Sequence, residues 1–223
     1  MRSDLRLATA LMTCDGSGNP EQLQSGQVSL AEGLWLRQAA RGVPVGQVIV
    51  EVGSYTGKST SCLARGSSEG WRVPVYAVDL WTVGTSDAGR NFRVRRLAEP
   101  VDESKFHMPE VLEVFRRRMD IYGADLVFEC MGASVDVAAT FPHRTVGLLF
   151  IDAEHSYDAC RADFEAWSPK VEPGGIIALH DYKEGLGAGA CAVMRYVDEV
   201  TQEGRWRIRE IVGTLVVLEN RLG

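Results

Sequence analysis

Apolar and polar positions along this chain alternate between two periods, and each change of period marks an element. Val48-Ile49-Val50-Glu51-Val52 is a β-branched run that enters the glycine turn Gly53-Ser54-Tyr55-Thr56-Gly57. It predicts a buried strand over 47–52 and a helix at about 59–66. Strand signatures recur at Val73 to Leu80, Ala124 to Cys130, Val146 to Ile151 and Ile176 to Leu179. Val146 to Ile151 carries no polar side chain, the pattern of a parallel strand covered on both faces. Ser29 to Ala40, Pro109 to Tyr122, Tyr157 to Trp167 and Cys191 to Val200 place apolar residues at helical spacing. Pro173-Gly174-Gly175 reads as a turn, and Trp206 to Val212 with Thr214 to Leu218 as a closing hairpin through Gly213.

This alternation predicts an α/β domain built on a doubly wound, mostly parallel, seven-stranded sheet with a C-terminal antiparallel hairpin. Residues 28–223 form one domain in this reading. Residues 1–27 are polar and hold Asp15-Gly16-Ser17-Gly18-Asn19-Pro20, which suits a flexible arm or a lid. Residues 81–107 show little period and are long for a connection in a compact domain, so they are either functional or partly disordered.

The chain has 223 residues, enough for one α/β domain with a sizeable core. A net charge of −6 disfavours non-specific binding to nucleic acid or anionic membrane. Arg116-Arg117-Arg118 is accordingly read as a solvated helix face. Cysteines 14, 62, 130, 160 and 191 form no CxxC pair, which argues for reduced thiols in a cytoplasm and against a zinc knuckle. Met1-Arg2-Ser3-Asp4 lacks the apolar core of a signal peptide, and no apolar run reaches the length of a membrane span.

Ligands of doubly wound sheets bind outside the carboxyl ends of the strands, and the polar residues of interest fall there. The turn after the first strand is not a phosphate-binding P-loop, because only three residues separate Gly53 from Gly57-Lys58-Ser59 where four are needed. Nor is it G-x-G-x-x-G. Asp79 ends the second predicted strand about 26 residues after Gly53, where a carboxylate can accept from both hydroxyls of a ribose. The plainer reading of Asp79 is a turn or cap residue. Gly132-Ala133-Ser134 follows the third strand, where an adenine edge would lie. Asp152 and His155 follow the fourth strand, and His180 and Asp181 the fifth. Carboxylates with imidazoles in one crevice suit a divalent cation, Mg²⁺ for the carboxylates, with histidine favouring Mn²⁺, Fe²⁺ or Zn²⁺. The plainer reading has His155 and Asp158 capping the helix from Tyr157.

Glu51-x-Gly53-x-x-x-Gly57-x-Ser59 is similar to motif I of class I methyltransferases. Asp152-Ala153-Glu154-His155-Ser156-Tyr157 and Pro173-Gly174-Gly175-Ile176-Ile177-Ala178-Leu179-His180-Asp181-Tyr182 resemble the small bacterial enzymes of methyltransferase family 24. These are related to metal-dependent O-methyltransferases that act on catechols and macrolide sugars. The resemblance covers roughly residues 30–218. It implies a Rossmann-like methyltransferase fold and S-adenosylmethionine as cofactor. Glu51, Gly53, Ser54, Tyr55, Gly57 and Ser59 would form the methionine end of its site, Asp79 would hold the ribose, and Ala133 and Ser134 the adenine side, with Asp152 adjoining the cofactor. Asp152, His180 and Asp181 would bind the metal, and His155 would be the general base. The relatives carry an acid or amide where this chain has His180. Many relatives assemble as dimers or higher, which implies a homo-oligomer.

The expected reaction is methyl transfer to a hydroxyl of a sugar, polyol or natural product. A second expectation, from a different class, is a non-catalytic cofactor-binding scaffold or partner subunit. A hydrolase is disfavoured by the lack of Gly-x-Ser-x-Gly. A nucleic-acid methyltransferase is disfavoured by the acidic charge and the lack of an Asn/Asp-Pro-Pro-Tyr/Phe motif. Trp81, Phe92, Phe106 and Tyr182 are candidates for an acceptor pocket or for ordinary core. The arginines at 90, 93, 95 and 96 are read as solvated surface, with an anionic acceptor as the alternative.

Overall fold

The structure is a computed structural model, and it describes residues 28–81, 93–96, 110–122, 125–183 and 188–221. The arm or lid expected over 1–27 and most of the insertion at 81–107 lie outside the described residues. So do Phe92, Phe106 and Arg90, and so do the side chains of Arg93, Arg95 and Arg96.

In chain order the elements are α1 (Leu30–Gly42), β1 (Val48–Val52), α2 (Lys58–Glu69), β2 (Val75–Asp79), β3 (Arg93–Arg96), α3 (Glu110–Tyr122) and β4 (Val127–Met131). They continue as α4 (Ser134–Thr140), β5 (Val146–Ile151), α5 (Tyr157–Trp167), β6 (Val171–Leu179), α6 (Ala188–Gln202), β7 (Trp206–Val212) and β8 (Leu215–Asn220). Among the described residues the strands form one sheet in the order β3-β4-β2-β1-β5-β6-β8-β7. The central five are parallel, and β3, β7 and β8 run antiparallel. All seven predicted strands are present, and the four-residue β3 joins them as an edge strand. No helix among the described residues is long and apolar enough to cross a membrane.

Strand order reverses at β1, which pairs with β2 on one side and β5 on the other. That switch point opens the crevice in which doubly wound sheets bind ligands. Successive strand residues enter opposite layers, as the pleat demands. Ile49, Leu148 and Phe150 pack with Leu36, Leu63, Phe115 and Met119 of α1, α2 and α3. Val50, Leu149 and Ile151 pack with Phe164, Trp167 and Val197 of α5 and α6. All six residues of β5 are buried, as its unbroken apolar run predicted.

Three local readings change. The expected turn at Pro173-Gly174-Gly175 lies inside β6 as a bulge: Val146 pairs with Val171, but Leu148 pairs with Ile176. Pro173 has no N–H for the ladder, and Gly174 at φ +79° takes a conformation that other residues avoid. The Arg116-Arg117-Arg118 run is not a solvated face. Arg116 forms a bidentate pair with Glu129 at 2.8 Å for each contact, Arg118 is buried, and only Arg117 is exposed, paired one turn away with Glu113. Ser134–Thr140 is a helix whose seven residues are too few to show a period.

Candidate active site

The turns after β1, β2, β4 and β5 surround one cavity of about 720 Å³. Gly53, Ser54, Tyr55, Lys58 and Ser59 form one end, Asp79 and Leu80 the middle, and Gly132 to Val135 the other end, with Asp152 to His155 along the side. Gly53 is irreplaceable on two counts. Its φ is +90°, and a Cβ there would lie 2.2 Å from the Asp152 carbonyl oxygen. The bare backbone lets the ends of β1 and β5 close on each other.

Asp79 accepts the Tyr55 N–H on one carboxylate oxygen and the Trp81 N–H on the other, both at 2.8 Å. It therefore locks the β1 turn against the end of β2 while lining the cavity, and the turn-former and ligand readings coexist in one side chain. Trp81 belongs to the core: it is buried against Phe115, and its Nε1 donates to the Tyr55 carbonyl at 2.7 Å. Two motif residues stand behind the cavity wall. Glu51 is fully buried and accepts the Thr60 hydroxyl. Burial pushes its carboxyl up to about 7, against hydrogen bonds from Ser59, Thr60 and Ser54. Gly57, at φ +82°, caps α2, and a Cβ there would strike the Phe115 ring at 2.8 Å. Its conformation and its packing both require glycine there.

Asp152, His155, His180 and Asp181 do meet at the ends of β5 and β6, which are neighbouring strands. His155 Nε2 lies 3.1 Å from Asp181 Oδ2 and 3.4 Å from Asp152 Oδ1. Hydrogen bonding with Asp152, opposed by burial, raises the His155 pKa above its usual value, and the Asp181 charge adds to the rise. Asp181 has a φ of +60°, which turns the chain sharply as it leaves β6. The helix cap that follows belongs to Ser156, whose hydroxyl accepts the Ala159 N–H, and not to His155 or Asp158.

His180 lies against the same carboxylates. Its Nδ1 lies 3.2 Å from Asp152 Oδ1 and 3.3 Å from Asp181 Oδ1, and its Nε2 faces Glu32 Oε2 at 3.5 Å and Thr214 Oγ1 at 3.3 Å. Nδ1 is buried and, close as it lies to both carboxylates, makes no hydrogen bond to them, while Nε2 meets Thr214 Oγ1. Burial works against a charge on this ring, yet the carboxylates of Asp152 and Glu32 outweigh it and hold the pKa up at about 10. Among the described residues Asp152, His155 and Asp181 form a convergent group whose ligand atoms lie within 4.8 Å of one another. Two carboxylates and an imidazole fit a divalent cation.

Glu32 is the site residue that the sequence reading did not single out. It is buried on α1, where Ser29 and Glu32 form a reciprocal capping box. Glu32 Oε1 accepts the Thr214 N–H at 2.7 Å and the Thr214 hydroxyl at 2.9 Å, and Oε2 accepts the Ser29 N–H at 2.5 Å. Burial alone would raise this carboxyl, but hydrogen bonds from His180, Ser29 and Thr214 hold it well below the usual carboxylate range. The Ser-x-x-Glu signature was readable in the sequence, but its reach to β6 and β8 was not. Tyr182 is placed away from the cavity, with its hydroxyl donating to Asp198 at 3.1 Å.

Known proteins give this geometry a family. The model of a methyltransferase domain, methyltransferase family 24, matches residues 50–182, from β1 through the Asp152 and Asp181 turns. The protein y4gI of Sinorhizobium fredii, itself uncharacterised, is 27% identical over 152 residues. That match covers 67% of this chain and 14% of the much longer y4gI. Cofactor-bound Rv0187 from MTB has the same fold at a TM-score of 0.66 and 19% identity, covering 99% of this chain and 91% of that one. The O-methyltransferase TomG from Streptomyces achromogenes, involved in tomaymycin synthesis and solved with S-adenosylmethionine, has a TM-score of 0.61 and 17% identity, covering 97% of this chain and 89% of that one. With the Gly53 turn, the Asp79 carboxylate and the β5 and β6 turns gathered at one switch point, this chain belongs to methyltransferase family 24 and has the class I S-adenosylmethionine-dependent fold.

Proposed function

We propose that this methyltransferase transfers the methyl group of S-adenosylmethionine to a hydroxyl oxygen of a small molecule, assisted by a divalent cation. The observation that carries the reading is the placement of Asp152 and His155 on the cofactor cavity itself, with Asp181 3.1 Å from the imidazole. A hydroxyl presented there lies within reach of the donor, a base and two carboxylates. TomG, of the same fold, is an O-methyltransferase in natural-product synthesis.

The cofactor supplies an electrophilic methyl on a sulfonium. Asp152 and Asp181 would hold the cation, which would polarise the acceptor oxygen and lower its pKa. His155 accepts the hydroxyl proton as the oxygen–carbon bond forms; the carbon–sulfur bond breaks, and its electron pair stays on S-adenosylhomocysteine. A positioned base of this kind contributes roughly 10²–10⁴-fold. The cavity walls hold donor and acceptor in line, which adds several kcal/mol more. His180 and Glu32 stand behind the carboxylates and fix their orientation.

The test is S-adenosylhomocysteine production with a panel of sugars, polyols and phenolic natural products, with and without EDTA and restored Mg²⁺ or Mn²⁺. The expected result is turnover with a hydroxylated acceptor that EDTA abolishes and metal restores. His155→Ala is expected to bind cofactor normally and to lose at least about 100-fold in turnover. Turnover with amines only, or an unchanged rate in His155→Ala, would refute the reading. Cofactor binding with no transfer to any acceptor would favour a non-catalytic scaffold.

A further inference from the structure

One buried charge on the cofactor cavity takes no part in the chemistry above. α5 turns Ala159, Ala162 and Asp163, spaced as neighbours on one helix face, toward the cavity. The two alanines leave room for a flat ring, and Asp163 stands at the back of the space they leave. Asp163 is only 7% exposed.

Its surroundings fix which way it can bond. Trp167 Nε1 donates to Ser134 Oγ at 2.8 Å, and an indole nitrogen can only donate. Ser134 in turn neighbours Asp163 and acts to lower its pKa. A carboxylate offers about four acceptor positions, more than one such neighbour fills. Burial raises this carboxyl's pKa despite the Ser134 hydrogen bond, as expected of an acid short of donors.

We propose that Asp163 is a specificity residue for the cofactor's base: its carboxylate, which lines the cavity, accepts from the exocyclic amino group of adenine and selects a 6-aminopurine over a 6-oxopurine. The position agrees with the rest of the cavity. The β1 turn takes the amino-acid end and Asp79 the ribose, which leaves the Ala133-Ser134 end, where Asp163 lies, for the base. A 6-oxopurine would set carbonyl lone pairs against the carboxylate and leave a buried acceptor unmatched. Sites built around a hydrogen bond discriminate most strongly against that kind of mismatch. The inference rests on the family's cofactor and is independent of the acceptor and the cation.

The experiment is calorimetric binding of S-adenosylhomocysteine and S-inosylhomocysteine to the full chain, which needs neither acceptor nor metal. Wild type is expected to prefer the adenosyl ligand by roughly 10- to 100-fold, the range of one hydrogen bond to a charged group. Asp163→Asn, which can donate to the 6-oxo group, is expected to bring the two ligands within about threefold of each other. Equal binding by wild type, or the same preference in Asp163→Asn as in wild type, would overturn the proposal. A purely structural role for Asp163 would weaken both ligands together and leave their ratio unchanged, which also counts against it. The wild-type comparison decides the matter alone if the variant does not fold.

Discussion

Replacing Glu32 with alanine removes one carboxylate and leaves four groups without their partner. The Ser29 N–H, the Thr214 N–H and the Thr214 hydroxyl lose their acceptor, and His180 Nε2 loses the charge it faces at 3.5 Å. Breaking a buried ion pair costs about 3–5 kcal/mol, and each stranded buried donor about 1–3 kcal/mol. These losses share one cavity and do not add, so the expected destabilisation is about 3–5 kcal/mol. Glu32→Gln keeps an oxygen for Thr214 and is expected to cost about half as much. The pH dependence follows from His180. Its folded pKa of about 10 lies above its ordinary 6.5, so its contribution is fully present below about pH 6.5 and is lost as pH rises through about 10. Over that window the folded chain binds one more proton than the unfolded chain, and stability falls by at most about 1.4 kcal/mol per pH unit. Glu32 works in the opposite sense: its lowered carboxyl stabilises the fold above about pH 4.5 and loses that effect as the medium becomes acidic. Urea unfolding of EDTA-treated protein from about pH 2.5 to 10.5 measures both limbs. A flat profile above pH 6.5, or an alanine variant as stable as wild type, would refute the account of the Glu32–His180 pair.

Three further perturbations test the frame around it. Gly53→Ala forces a Cβ to within 2.2 Å of the Asp152 carbonyl at a φ of +90°, and is expected to cost about 2–5 kcal/mol and to weaken cofactor binding; thermal unfolding and calorimetry report the two effects. Asp79→Ala strips the Tyr55 and Trp81 N–H groups of their acceptor and removes the carboxylate expected to hold the ribose, so cofactor affinity should fall at least about tenfold, and unaltered affinity would remove Asp79 from the site. Glu129→Ala leaves Arg116 without its bidentate partner on β4 and should destabilise the chain by about 3 kcal/mol in denaturant titration while S-adenosylhomocysteine affinity stays unchanged.

Strand ends are where sequence and structure agree most closely. Val146–Ile151 declared itself by six consecutive residues with no polar side chain, and the site residues that follow such runs are local consequences of where a strand stops. Gly53, Asp79, Ala133, Asp152, His155 and Asp181 all lie within a few residues of a strand terminus. A parallel sheet brings those termini to one edge whatever the detailed packing, so the cavity could be assembled on paper. The same reasoning placed His180 correctly in space but did not foresee that it would face Glu32, a residue from another element. Glu32 and Thr214 are 182 positions apart, and no periodicity within α1 or β8 announces that one carboxylate will serve both.

Asp163 and Arg116 fail to announce themselves for the same reason. Each reads as an ordinary polar residue on an amphipathic helix, and what sets it apart is a partner contributed by another element: Ser134 on α4 for one, Glu129 on β4 for the other. A helix pattern predicts which face is covered and leaves open whether a charge at the edge of that face meets water or a second side chain. The difference is thermodynamically large, since a paired buried charge resists removal by several kcal/mol where an exposed one contributes little. The functional consequence is a division of labour along the cavity. In the proposed reading strand termini deliver most of the groups that meet cofactor and acceptor and α5 adds Asp163, while α1 delivers Glu32, the partner that faces His180. Substitutions in the first class should act mainly on binding and turnover, and those in the second should move stability and pH dependence as well. Comparing His155→Ala with Glu32→Ala in the two assays therefore separates the classes: the former should leave the urea midpoint nearly unmoved, and the latter should shift it together with the alkaline limb of the profile.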